Sequence, residues 1–228
     1  MQIYNEIVSF YEQLINDEYH RYKSWEHCYT YFQNSTNLDD DYASLQLAFY
    51  LASWGMYRGS SYLLWKDYKI HKELINYLKV NQSIKVSYDY YEQKDNDNIN
   101  YIMKKIEEIK RYYSEKIKNV NGKEKEIKPS NTLASKVLLG INASIPAFDR
   151  FFITGLKMNN IGGSINNETI KNILLFYRHN KDEFDKSYEY IKNKSGTEYP
   201  PMKLIDMYFW EIGRKEEERV SMERKKKT

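Results

Sequence analysis

Apolar residues recur at helical spacing along most of this chain. Ile3, Ile7, Phe10, Leu14 and Ile15 outline a first amphipathic helix. An aromatic-rich segment, Tyr19 to Phe32, continues as a second helical piece. Polar residues from Asn34 to Asp41 supply a loop with helix-capping candidates. From Tyr42 the pattern changes. Leu45, Leu47, Phe49, Leu51, Trp54 and Met56 make a helix apolar nearly all round, the pattern of a central buried helix. Gly55 and Gly59 then allow a bend before Ser60 and Ser61.

Ile70 to Val80 predicts another helix, and Ile84 to Tyr91 reads as helix or loop with a short strand as the alternative. Ile99, Ile102, Met103, Ile106, Ile109, Tyr113 and Ile117 form the cleanest amphipathic pattern, with a Lys/Glu opposite face. A charged loop, Asn119 to Pro129, offers a boundary between two halves. Beyond it Ser130 is placed to cap a short apolar helix over Leu133–Ile141. Pro146 suits the start of a helix through Phe148, Phe151, Phe152 and Leu156. Gly162–Gly163 marks a turn, and Asn166 or Asn167 can cap the next helix. A polar helix covers Asp182–Ile191, and Pro200–Pro201 opens a last one. The charged residues after Gly213 are expected to fray.

The fold class that follows is all-α: a multi-helix globular bundle of about eight to ten helices, with room for two helical lobes. The expected division is 1–118 as an N-terminal helical half, 130–213 as a C-terminal half and 214–228 as a flexible charged tail. A length of 228 residues fits one compact domain.

Composition narrows the picture. Hydrophobic residues make up 41% and charged residues 29%, which excludes an intrinsically disordered chain. The net charge of +3 is small, and Arg224 to Lys227 carry much of the positive charge, so the body is near neutral and no strong basic excess announces nucleic acid. The single cysteine, Cys28, rules out an internal disulfide and a Cys-based zinc site. Four scattered histidines lack metal-ligand spacing, so no metal or cofactor is expected. The N-terminus carries Glu6 without a basic flank, and no apolar run approaches the roughly 20 residues of a membrane span. A cytoplasmic protein without membrane association is the expectation, with oligomerisation left open.

Four segments stand out chemically: Ser24–Tyr29, Leu51–Ser61, Thr132–Leu139 with Ile145–Arg150, and Tyr199–Trp210. In Trp25-Glu26-His27-Cys28, Glu26 and His27 are candidate acid–base residues, although neighbours on a helix point in different directions. The alternative is a core histidine and a buried cysteine beside Trp25. In Trp54 to Ser61, Arg58 interrupts the most apolar region of a chain that mostly uses lysine. A planar fork for phosphate or carboxylate would explain that choice, with Ser60 and Ser61 as further donors. An internal salt bridge would explain it equally. Asp149 and Asp206 are lone acids within other apolar stretches. With Arg58 they could form a buried ion network or a site.

Two resemblances bear on function. Thr132 to Leu139, followed by Ile145-Pro146-Ala147-Phe148-Asp149-Arg150, resembles the helix-hairpin-helix region of the DNA glycosylase superfamily. There a Ser-Lys-containing helix precedes a Pro-x-x-Asp element. The resemblance implies that Asp149 serves a reacting base, with Lys136 nearby and nucleic acid as the partner. The usual Gly-x-Gly turn is replaced by Gly140-Ile141-Asn142-Ala143-Ser144. Arg21 and His27, with five residues between them, resemble the Arg-x4–6-His pattern of HEPN ribonucleases, with Tyr22 in place of the usual polar residue. That would imply metal-independent RNA cleavage across a dimer. The four segments together also resemble an uncharacterised family of bacterial helical proteins. A bacterial defence role suits such a chain, though no residue argues for it. The readings carried forward are therefore a nucleic-acid-associated protein with an arginine for phosphate, a non-enzymatic interaction module, and a HEPN-like ribonuclease.

Overall fold

A computed structural model describes residues 2–34, 39–80 and 92–226. It is an all-α globular fold, as the periodicity predicts. The α-helices are α1 (Gln2–Ile15), α2 (Ser24–Asn34), α3 (Asp40–Ser53), α4 (Lys72–Val80), α5 (Glu92–Lys116), α6 (Asn131–Ile141), α7 (Arg150–Met158), α8 (Asn167–His179), α9 (Lys181–Ser195) and α10 (Pro201–Lys226). Three 3-10 helices lie between them: η1 (Arg21–Lys23), η2 (Tyr62–Trp65) and η3 (Tyr68–His71). The expectation for Ile84–Tyr91 lies outside the described residues. None of the described helices is long and apolar enough to cross a membrane.

The chain forms two compact units that are discontinuous in sequence. One comprises Met1–Glu18, Tyr88–Ile99 and Pro146–Thr228, and the other Tyr19–Ser87 and Asn100–Ile145. This differs from the consecutive halves 1–118 and 130–213. The long helix α5 supplies residues to both units.

In the first unit α7 and α10 pack closely, and α1 packs on α9 and α10. Gly155 and Gly213 make the α7–α10 approach possible. A Cβ on Gly155 would overlap the carbonyl oxygen of Phe209, and one on Gly213 that of Phe151. Around this crossing Phe151 and Phe10 meet Trp210 edge-on, at centroid separations of 5.2 and 5.5 Å. Arg178 on α8 holds the buried carboxylate of Asp95 through two hydrogen bonds of 2.7 Å. The expected fraying after Gly213 does not occur within the described residues. The helix runs on to Lys226, laced by Arg214 with Glu211 and Glu218 and by Arg219 with Glu216 and Glu223. Such i,i+3 and i,i+4 pairs support a helix without burial.

In the second unit α2 packs on α3, and α6 packs on both. Trp25 donates its indole N–H to the carbonyl of Leu139 at 3.0 Å, and a Cβ on Gly140 would meet the Tyr50 ring. The expectation that α3 is buried on every side needs correction. Ala43, Leu47, Tyr50 and Leu51 are buried, but Tyr42, Leu45 and Phe49 form an exposed stripe along one face. The Asn119–Pro129 stretch also holds more structure than a loop. Asn119–Val120 pairs antiparallel with Lys123–Glu124. Asn121 and Gly122 turn the chain with φ of 51° and 73°, as a two-residue hairpin turn of type I′ demands.

Several ends are as the sequence predicts. Ser130 caps α6, and Asn166 caps α8, each through a side-chain oxygen accepting a backbone N–H three residues on. The helix after Pro146 starts later than proposed. It begins at Arg150, because the Asp149 carboxylate accepts the Phe152 N–H and defines the cap.

Candidate functional site

The most chemically distinctive region of the second unit is the turn that follows α3. Trp54 ends the helix, and Gly55, at φ 82°, reverses the chain while Met56 N–H returns to the Leu51 carbonyl at 2.8 Å. A tighter turn follows. Ser61 N–H donates to the Arg58 carbonyl at 3.1 Å across Gly59, whose φ is 60°. Ser61 Oγ donates to the Met56 carbonyl at 2.5 Å and accepts the Leu63 N–H, which caps η2. The hydroxyl read from sequence as a ligand donor is therefore committed to holding the turn. Ser60 is exposed.

Two contacts fix this turn to the unit's interior. Lys136 Nζ, on buried α6, donates to the Trp54 carbonyl at 2.8 Å. Tyr57 Oη lies 2.7 Å from His71 Nε2, and His71 Nδ1 lies 2.7 Å from Tyr113 Oη. A neutral imidazole can donate at one nitrogen and accept at the other, so the three side chains form a satisfied chain. Burial pushes the His71 pKa down to about 3. Burial also raises the Tyr57 and Tyr113 hydroxyls above their ordinary values. The Tyr62 hydroxyl is buried too, without a hydrogen-bond partner among the described residues.

The Arg58 side chain is exposed, and among the described residues it makes no hydrogen bond or ion pair. Its guanidinium folds against Gly55, where a Cβ would come within 2.9 Å of Nε. An internal salt bridge is thus not what Arg58 serves among these residues. Asp149 and Asp206, considered with it as a network, belong to the first unit and are engaged there. Asp149 caps α7. Asp206 is buried, 3.0 Å from Lys203 Nζ, and accepts the Ala147 N–H at 2.9 Å. Burial raises the Asp206 pKa, and the Lys203 charge opposes that rise.

A second arginine, Arg21, is tied to Trp54 through the Tyr22 ring. The Tyr22 ring stacks on Trp54 at 4.1 Å, and the Arg21 guanidinium sits 4.8 Å from the Tyr22 ring centre. Arg21 is exposed. The structure thereby joins the Arg21 and Arg58 segments, which the sequence presented separately. The Glu26–Cys28 segment divides as helical geometry requires. Cys28 is buried and donates to the Gly140 carbonyl at 3.5 Å, and burial raises its thiol pKa. Glu26 is half-buried and His27 is exposed, so His27 is not a core histidine. The Tyr22–Trp54 stack and the Tyr57–His71–Tyr113 chain carried no signal in the sequence beyond abundant tyrosine.

One open groove of about 450 Å³ lies at the α8–α9 junction in the first unit, lined by residues from Arg178 to Lys186. Two of its cations are engaged, Arg178 by Asp95 and Lys181 by Asp185, while Lys186 is exposed and has no ionic partner among the described residues. Among the described residues no cluster of three or more His, Cys, Asp or Glu side chains could hold a metal ion. Comparisons with protein-family models, curated proteins and solved structures returned no match.

Proposed function

We propose that this protein is nucleic-acid-associated and engages phosphate through Arg58. The observation that carries the reading is an arginine without an ionic partner among the described residues, presented on a turn whose backbone is fixed from both sides. A guanidinium binds phosphate oxygens with paired N–H donors, and a pre-set turn reduces the ordering cost of that contact. Ser60, next in the same turn, is exposed, and so is Arg21, which lies over the Tyr22 ring that stacks on Trp54.

The test is fluorescence anisotropy with labelled DNA and RNA oligonucleotides at several salt concentrations. Phosphate contacts release counterions, so affinity is expected to fall with salt. Arg58→Ala is expected to weaken binding without lowering the unfolding midpoint, and Arg58→Lys to restore part of it. Salt-insensitive binding, or full affinity in Arg58→Ala, contradicts the proposal.

A second reading, the HEPN-like ribonuclease, is favoured by the exposure of both Arg21 and His27. It requires RNA cleavage in the presence of a chelator that His27→Ala abolishes.

A further inference from the structure

We infer that the phosphate taken by Arg58 belongs to a nucleotide with an unstacked base, and that Trp65 supplies the face on which that base stacks. The inference rests on the phosphate reading above.

Charge separates single-stranded from double-stranded ligands. A duplex-binding protein gains its affinity by neutralising many phosphates, with about 6–10 contacts typical. Here the net charge is +3, and the four basic residues Arg224–Lys227 leave the remainder close to neutral. The Arg58 turn offers one arginine without an ionic partner among the described residues. So few cations hold a nucleotide firmly only if another interaction adds to them. Base stacking on an aromatic ring is such an interaction, and it is open only to a base outside a duplex.

Trp65 is placed to provide it. It ends η2 and is 50% exposed, next to Leu64 at 47%. No ring contact engages its indole among the described residues. Most of the other large aromatics of this unit are stacked or buried, as Trp25 and Tyr22 are. A single exposed apolar side chain is ordinary on a protein surface. What distinguishes Trp65 is its rigid link to the arginine. Ser61 closes the Arg58 turn through its N–H and caps η2 through its hydroxyl, so the two features share one anchor. At about 2 Å per residue, the four-residue η2 carries the chain about 8 Å from that anchor, within reach of an adjoining nucleotide.

The competing occupant is a protein. Tyr42, Leu45 and Phe49 are exposed on α3 of the same unit, and Trp65 could belong with them to a docking face. A protein on such a face would leave the open Arg58 without a role.

The experiment uses the full chain and four probes: a short oligothymidylate, the same backbone made abasic, a blunt duplex, and inorganic polyphosphate. Thymidine monophosphate as competitor separates a free nucleotide from a polymer as the source. Wild-type protein is expected to prefer the oligothymidylate over the abasic strand and the duplex. Trp65→Ala should weaken oligothymidylate binding about 5- to 150-fold, the value of one stacked base, and leave polyphosphate binding unchanged. Trp65→Phe should recover most of the loss, and Arg58→Ala should weaken every probe. Undiminished oligothymidylate binding by Trp65→Ala overturns the stacking inference while the phosphate reading stands on the Arg58 variant. Loss of self-association in Trp65→Ala, with nucleotide binding intact, assigns the residue to the docking face and overturns it as well. Failure of wild-type protein to bind any probe removes the phosphate reading first, and the inference with it.

Discussion

The carbonyl oxygen of Phe209 on α10 occupies the space where Gly155 on α7 would carry a β-carbon. Gly213 stands in the same relation to the carbonyl of Phe151. These two reciprocal contacts let two helix backbones touch, and they fix the spacing that brings Phe10, Phe151 and Trp210 together.

Opposing effects meet in a Gly155→Ala or Gly213→Ala variant. Alanine favours a helix over glycine by about 1 kcal/mol. Overpacking a tight contact costs about 1–3 kcal/mol, and more where the obstructing atom is backbone and cannot rotate away. Each variant is therefore expected to be destabilised, with urea midpoints below wild type. A midpoint equal to or above wild type would mean that the helices separate freely.

His71 makes stability depend on pH. Its pKa is depressed to about 3 in the folded protein, against about 6.5 in an unfolded chain. Below pH 6.5 the unfolded chain therefore takes up a proton that the folded one does not. The contribution is fully present above pH 6.5 and is lost as pH falls toward 3, with a slope of up to about 1.4 kcal/mol per pH unit. Urea unfolding from pH 7 to pH 4.5 should show a shallower slope for His71→Gln than for wild type. Parallel slopes would place the imidazole in water in the folded state.

Lys203 and Asp206 share a buried site in which each side chain is 3% exposed. Removing one partner strands the other. Lys203→Met and Asp206→Asn are each expected to cost about 3–5 kcal/mol, the range for breaking a buried pair. Lys203→Met/Asp206→Leu should cost clearly less than the sum of the single changes, although the Ala147 N–H then loses its acceptor. Strict additivity in thermal or urea unfolding would show that the two side chains do not act as a pair.

The sequence determined the local architecture. Helix periodicity located most of the helices, though α5 begins seven residues before Ile99 and α10 runs on past Gly213, and the Ser130 and Asn166 caps reach only three positions along the chain, so each can be read from its neighbours. Arg58 was legible as an anomaly, an arginine in the most apolar stretch. Tertiary structure decided whether it had a partner, because that depends on residues far away in the chain. It also decided that His27 is exposed while adjacent Cys28 is buried against Gly140, 112 positions distant. The Tyr57–His71–Tyr113 chain spans separations of 14 and 42 residues. Only packing could choose those tyrosines from among 23. The same holds for α3, whose apolar pattern is almost continuous. Which face meets solvent depends on which helices fold beside it, and those helices are set by the non-local contacts that build each unit from separate stretches of chain.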